Sequence, residues 1–150
     1  MSAEKMRIIE SVEVVGPGRV ALGWSGGERV ELDLSGWLAD RAFAPLRHAG
    51  EFAKVRIGEW GHGLEWPSGV EMGADSLWLE TLSALRREDA RRFVEWRMRH
   101  GLSLTKAAEA LGLSRRMVAY YSDGEHAVPR HVLLACVGWE AGGVDARLAS

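Results

Sequence analysis

Arg115, Arg116, Ala119 and Tyr120 recur at i, i+1, i+4 and i+5, the spacing that sets side chains along one face of a helix. A guanidinium fork matches guanine O6 and N7, or a phosphate. A phenol hydroxyl reaches a phosphate, and a tyrosine ring or alanine methyl can lie against a thymine methyl. Ser114 stands just before this run, where its hydroxyl and the free N–H groups of a helix start can hold a phosphate. Thr105 and Lys106, at the start of the segment upstream, are placed to anchor the nucleic-acid backbone. The chemistry these residues offer is the reading of double-stranded DNA.

The surrounding sequence, GLSLTKAAEALGLSRRMVAYYSDGEHAVP over residues 101–129, supplies the elements that would position them. Ser103 is an N-cap, and Leu104, Ala107, Ala108 and Leu111 give the first helix an apolar face. The small Ala108 sits where two crossing helices must approach closely. Gly112 gives the backbone freedom a sharp turn needs, and Leu113 plugs the angle between the helices. Ser114 caps a second helix over 114–121, with Met117, Val118 and Tyr121 inward and Arg115, Arg116, Ala119 and Tyr120 outward. This is the pattern of a DNA-reading helix-turn-helix, the second helix entering the major groove. One such module makes few base contacts, so a homodimer on a two-fold site is expected, with half-sites about 10 bp apart or a multiple of that.

Residues 91–139 resemble the Xre/Cro-type helix-turn-helix family of bacterial and phage regulators. The likeness rests on Phe93, Trp96 and Arg97, Gly101-Leu102-Ser103, Ala108, Leu111-Gly112-Leu113-Ser114, Val118, Tyr121, Gly124 and Pro129. It implies an all-α, lambda-repressor-like domain. Two positions depart from the family pattern. Leu104 replaces a common Gln, so a common contact from the start of the first motif helix is missing. Ser122 replaces a frequent Glu, so Arg97 lacks its expected ion-pair partner, with Asp123 the neighbouring substitute.

Charge divides the chain. Residues 1–85 hold 8 Lys/Arg against 13 Asp/Glu, a formal −5, whereas residues 86–150 hold 11 against 8, a formal +3. The basic half suits a polyanion and the acidic half does not. Apolar content of 47% is enough for a true core. The single Cys136 excludes an intrachain disulfide framework, and no apolar run approaches membrane-spanning length. A cytoplasmic protein without membrane association is expected.

Nothing in the sequence points to an enzyme. There is no GxGxxG, no P-loop and no nucleophile elbow. His126, His131 and Cys136 are five apart and spread around a helix, and no CxxC or HxxxH pair exists. His62, between glycines, reads as a turn residue, and Asp33 as the solvent side of a strand. No catalytic residues, metal or cofactor are expected.

The first half reads as a small strand-rich domain. Alternation marks strands at Val12 and Val14, at Val20, Leu22 and Trp24, and at Val30, Leu32 and Leu34. Ser25-Gly26-Gly27 turns one hairpin, and Gly61-His62-Gly63 joins residues 55–57 to 64–66 in another. An irregular or helical link interrupted at Pro45 lies between. A helix from Asp75 through Leu77, Trp78, Leu82 and Leu85 leads into the C-terminal module with no Gly/Ser linker. Of seven tryptophans, Trp24, Trp66, Trp96 and Trp139 fall on core faces, the last with Val132, Leu133 and Val137. Trp37, Trp60 and Trp78 are candidates for a partner or dimer patch.

Val20-Ala21-Leu22, Gly27-Glu28-Arg29, Leu32-Asp33-Leu34, Phe43-Ala44-Pro45-Leu46, residues 52–55 and Gly63-Leu64-Glu65-Trp66-Pro67 resemble the bacterial domain of unknown function numbered 2442. That likeness, over residues 8–80, implies an α+β domain, sometimes fused to a helix-turn-helix and sometimes found near toxin–antitoxin-like genes. It brings no catalytic residues. The expectation is an acidic, antiparallel-hairpin α+β domain over 1–83 followed by a helix-turn-helix domain over 84–150. The function expected is sequence-specific transcriptional regulation, the first domain serving dimerisation, sensing or partner binding. The alternative is an antitoxin-like module that holds a toxin-like protein through its first domain and autoregulates its operon.

Overall fold

The computed structural model describes residues 7–142. The chain divides into two compact units between Leu85 and Arg86. The expected fold class holds: antiparallel sheets with short helices, then an all-helical C-terminal region.

In the first unit, β1 (Ile9–Gly16), β2 (Arg19–Trp24) and β3 (Arg29–Asp33) form an antiparallel meander in that order. The pairings Val20↔Leu32 and Leu22↔Val30 bring the apolar alternation of the two strands onto one face, buried with Trp24 and Leu34. Gly18, at φ +66, turns β1 into β2. Next come α1 (Ser35–Leu38), a 3-10 stretch (Arg41–Arg47) and α2 (Ala49–Phe52). Pro45 lies inside the 3-10 stretch rather than interrupting it, and the Asp40 side chain, accepting from Ala42 N, caps its start. The second hairpin, β4 (Arg56–Ile57) with β5 (Gly63–Glu65), is joined by β6 (Glu71–Gly73), too short to show as alternation.

Helix α3 (Ala74–Ala84) covers β3, β5 and β6 with Leu77, Trp78, Thr81 and Leu82. Thr81 is fully buried. Its hydroxyl accepts from Trp24 Nε1 at 3.0 Å and donates to Leu77 O at 2.9 Å. Trp78 packs edge-on against Trp24, with ring centroids 5.1 Å apart. Thr81→Val keeps the shape but strands the indole N–H, so thermal unfolding should show a loss of about 1–3 kcal/mol. Trp66 is buried as expected, donating to Phe52 O. Trp78 proves to be core, Trp37 is half-buried against Phe43, and Trp60 is 77% exposed.

The helix expected to continue toward the second unit stops at Ala84, and Arg86 takes a left-handed φ of 61°. The second unit contains α4 (Glu88–Arg99), α5 (Leu104–Leu111), α6 (Arg115–Asp123) and α7 (Arg130–Glu140). Its core joins Phe93 and Trp96 of α4, Leu104, Ala107 and Ala108 of α5, Val118 and Tyr121 of α6, and Val132 and Cys136 of α7. The Asp89 carboxylate accepts from Val128 N at 2.7 Å, tying the loop before α7 to α4. Trp139 is half-buried, edge-on to Trp96 at 5.5 Å. Val137, expected beside it in the core, is instead 60% exposed, because it sits on the opposite side of α7 from Val132 and Cys136.

Candidate nucleic-acid interface

Local chemistry sets the frame of the site. Ser103 Oγ accepts from Lys106 N at 3.0 Å and Ser114 Oγ accepts from Met117 N at 3.1 Å, so each helix begins at a side-chain cap. Gly112 ends α5 at φ 69°, ψ 32°, and Leu113 N donates back to Ala108 O. A Cβ on Gly112 would meet nothing within 4 Å, so the backbone angle alone calls for glycine there. The result is two short helices joined through residues 112–114. Gly124, also left-handed, closes α6.

The designated side chains are placed as follows. Thr105, Lys106, Ser114, Arg115 and Arg116 are exposed, and Tyr120 is half-exposed. Arg115 has no ion-pair partner among the described residues, leaving its guanidinium free for a ligand. Arg116 Nε donates to Tyr120 Oη at 2.7 Å, and its guanidinium carbon lies 5.4 Å from the centre of that ring. Lys106 is 3.7 Å from Glu109 with both side chains well exposed, a weak pair that an anion can displace. Ala119 is half-buried against the core: one position after the fully buried Val118, it lies on the flank of α6 rather than its outer face.

Two features escaped the sequence. The His126 ring lies tilted against Tyr120, with centroids 4.5 Å apart, making an Arg116–Tyr120–His126 row on the exposed side of α6. His126 lies in the loop after α6, where no helical periodicity reports its direction. Arg97 also finds a partner at the very position whose substitution seemed to deprive it of one: its Nη1 donates to Ser122 Oγ at 3.0 Å, and that hydroxyl donates on to Val118 O. Serine keeps the α4–α6 link that an acidic residue would otherwise make.

At the C-terminal end of α4, Glu140 of α7 draws in Arg99 and His100. Its Oε2 is 2.7 Å from Arg99 Nη2 and 2.7 Å from His100 Nε2. The hydrogen bond from His100, then that from Arg99, hold its carboxyl below the ordinary 4.5. A depressed carboxyl stabilises the fold above its unfolded value and ceases to do so as pH falls through the folded one. Glu140→Gln should therefore lower stability at neutral pH, measured by chemical denaturation, with the difference from the wild type shrinking as pH falls below about 4.5. Burial pushes the Cys136 thiol up to about 11, so it stays protonated and unreactive at neutral pH. Among the described residues no group of three His, Cys, Asp or Glu side chains could hold a metal ion, and no helix is long and apolar enough to cross a membrane.

Comparison with known proteins adds three findings. Residues 9–81 match the model of the family described as protein of unknown function (DUF2442). No curated protein matches the chain. A crystal structure from Nitrosomonas europaea ATCC 19718, described as "Putative DNA Binding Protein NE0471", is 38% identical, with a TM-score of 0.67. The match covers 94% of this chain and 91% of that one, so the likeness spans both units. The chain belongs to the same family as that Nitrosomonas europaea protein, and its first unit carries the DUF2442 match.

Proposed function

We propose that this chain is a non-enzymatic, sequence-specific DNA-binding regulator, a homodimer that lays α6 of its helix-turn-helix in the major groove. The observation that carries the reading is the exposed face of α6: a free Arg115 beside an Arg116 already oriented by Tyr120, at the open N-terminus of a serine-capped helix. In this reading Arg115 and Arg116 contact guanine edges or flanking phosphates, Tyr120 a phosphate or thymine methyl, and Ser114, Thr105 and Lys106 the backbone. The description of the Nitrosomonas europaea relative supports the same class of function. Footprinting on the DNA upstream of its own gene tests the proposal. Two protected patches about 10 bp apart, or a multiple of that, are expected. Uniform, sequence-independent protection would contradict it.

A second reading has its own observation. Trp60 is 77% exposed at a left-handed φ of 62°, a backbone state costly for a non-glycine residue, in the acidic first unit. An exposed tryptophan held this way suits an anchor for a basic protein partner, as an antitoxin-like role would need. Trp60→Ala should then abolish binding of a basic protein encoded beside this gene, measured by calorimetry, and leave DNA affinity unchanged.

A further inference from the structure

Helix α7 turns Val132 and Cys136 to the core but leaves a continuous uncharged face in water: Leu134, Ala135, Val137 and Gly138 are all exposed, Leu134 at 56% and Val137 at 60%. Leu134 and Val137 also line a groove of about 380 Å³ between α4 and α7. Exposed Leu and Val one turn apart, on a surface otherwise rich in charge, are the mark of a contact rather than of a solvated helix.

Gly138 strengthens the case. It lies inside the helix, where glycine is among the poorest helix formers, and it does not take a positive φ. A Cβ built on it would meet nothing within 4 Å. Nothing among the described residues thus calls for glycine there. Close approach of a second backbone does.

We propose that this face of α7 is a homodimer interface, the α7 of one copy packing antiparallel on that of a second copy about a two-fold axis between Leu134 and Val137. The occupant follows from charge. An axis there sets Leu134 on the partner's Val137, and Arg130 and His131, both exposed, near the partner's Glu140. Glu140 uses Oε2 for Arg99 and His100, and its Oε1 takes no partner among the described residues. One end of the face is basic and the other carries a carboxylate, so the patch is complementary to itself when reversed. Ala135 and Gly138 let the two backbones approach. Dimerisation here needs no contribution from the acidic first unit, which the sequence offered as a candidate, and holds whether or not the chain reads DNA.

Sedimentation equilibrium of the full chain without DNA tests it. The wild type should show twice the 16.5 kDa chain mass at micromolar concentration. Val137→Asp should raise the dimer dissociation constant at least about tenfold. Gly138→Leu should do the same, although leucine is the better helix former, so helix content by circular dichroism should hold or rise while the dimer weakens. A single-chain mass throughout the concentration range would overturn the proposal, as would a dimer unmoved by both variants.

Discussion

Replacing Arg115 and Arg116 together by alanine should reduce affinity for the cognate operator at least about 30-fold, since each bidentate base contact is worth about 1–3 kcal/mol of discrimination. The fold should survive, because both side chains are exposed and neither belongs to the core. The single variants separate their roles. An arginine that reads a base loses sequence preference when removed. One that holds a phosphate weakens all duplexes alike and lowers the salt slope by about 1. Arg116→Ala should also release Tyr120 from its 2.7 Å hydrogen bond, so a larger effect than Arg115→Ala is expected. Isothermal binding to cognate and scrambled duplexes, with circular dichroism as the control for folding, checks each point.

Phe93→Ala should have the largest effect on stability. Its ring is fully buried and touches both Trp96, at 5.8 Å between centroids, and Tyr121, at 5.6 Å. Those rings belong to α4 and α6, so the phenylalanine supports the helix that presents Arg115 and Arg116. Truncating a buried phenylalanine costs about 3–5 kcal/mol. Against a total stability of about 5–15 kcal/mol for a typical protein, that is enough to populate unfolded helices near physiological temperature. Amide exchange in α4 to α7 should accelerate strongly, and DNA affinity should fall with the folded fraction. Unchanged protection in α6 would mean that Phe93 does not support this helix.

What the sequence disclosed was what local chemistry dictates. Ser103, Gly112 and Ser114 act within three or four residues of themselves, and all three do what their types and spacing implied. Period-two alternation likewise placed Val20, Leu22, Val30 and Leu32 on one buried face. Features set by distant partners stayed hidden. Thr81 meets Trp24 across 57 positions, and Arg97 meets Ser122 across 25. His126 points where a loop sends it, and β6 is three residues long. Val137 shows another reason. Apolar residues at helical spacing serve a core or an interface equally well, and only the packed structure shows which side of α7 the core takes. The candidate site was therefore legible in its main cations and caps, but not in the Arg116–Tyr120–His126 row that orients it.

Fluorescence anisotropy of the full chain, on DNA from upstream of its own gene and on a scrambled duplex across a salt series, tests the central claim most directly. Sequence-specific reading through α6 predicts tighter binding to the native duplex at every salt concentration, with affinity falling steeply as salt rises and the preference lost in the Arg115→Ala, Arg116→Ala variant. Equal weak binding to both duplexes, or none, would contradict it and shift the weight of the account to Trp60 and a protein partner.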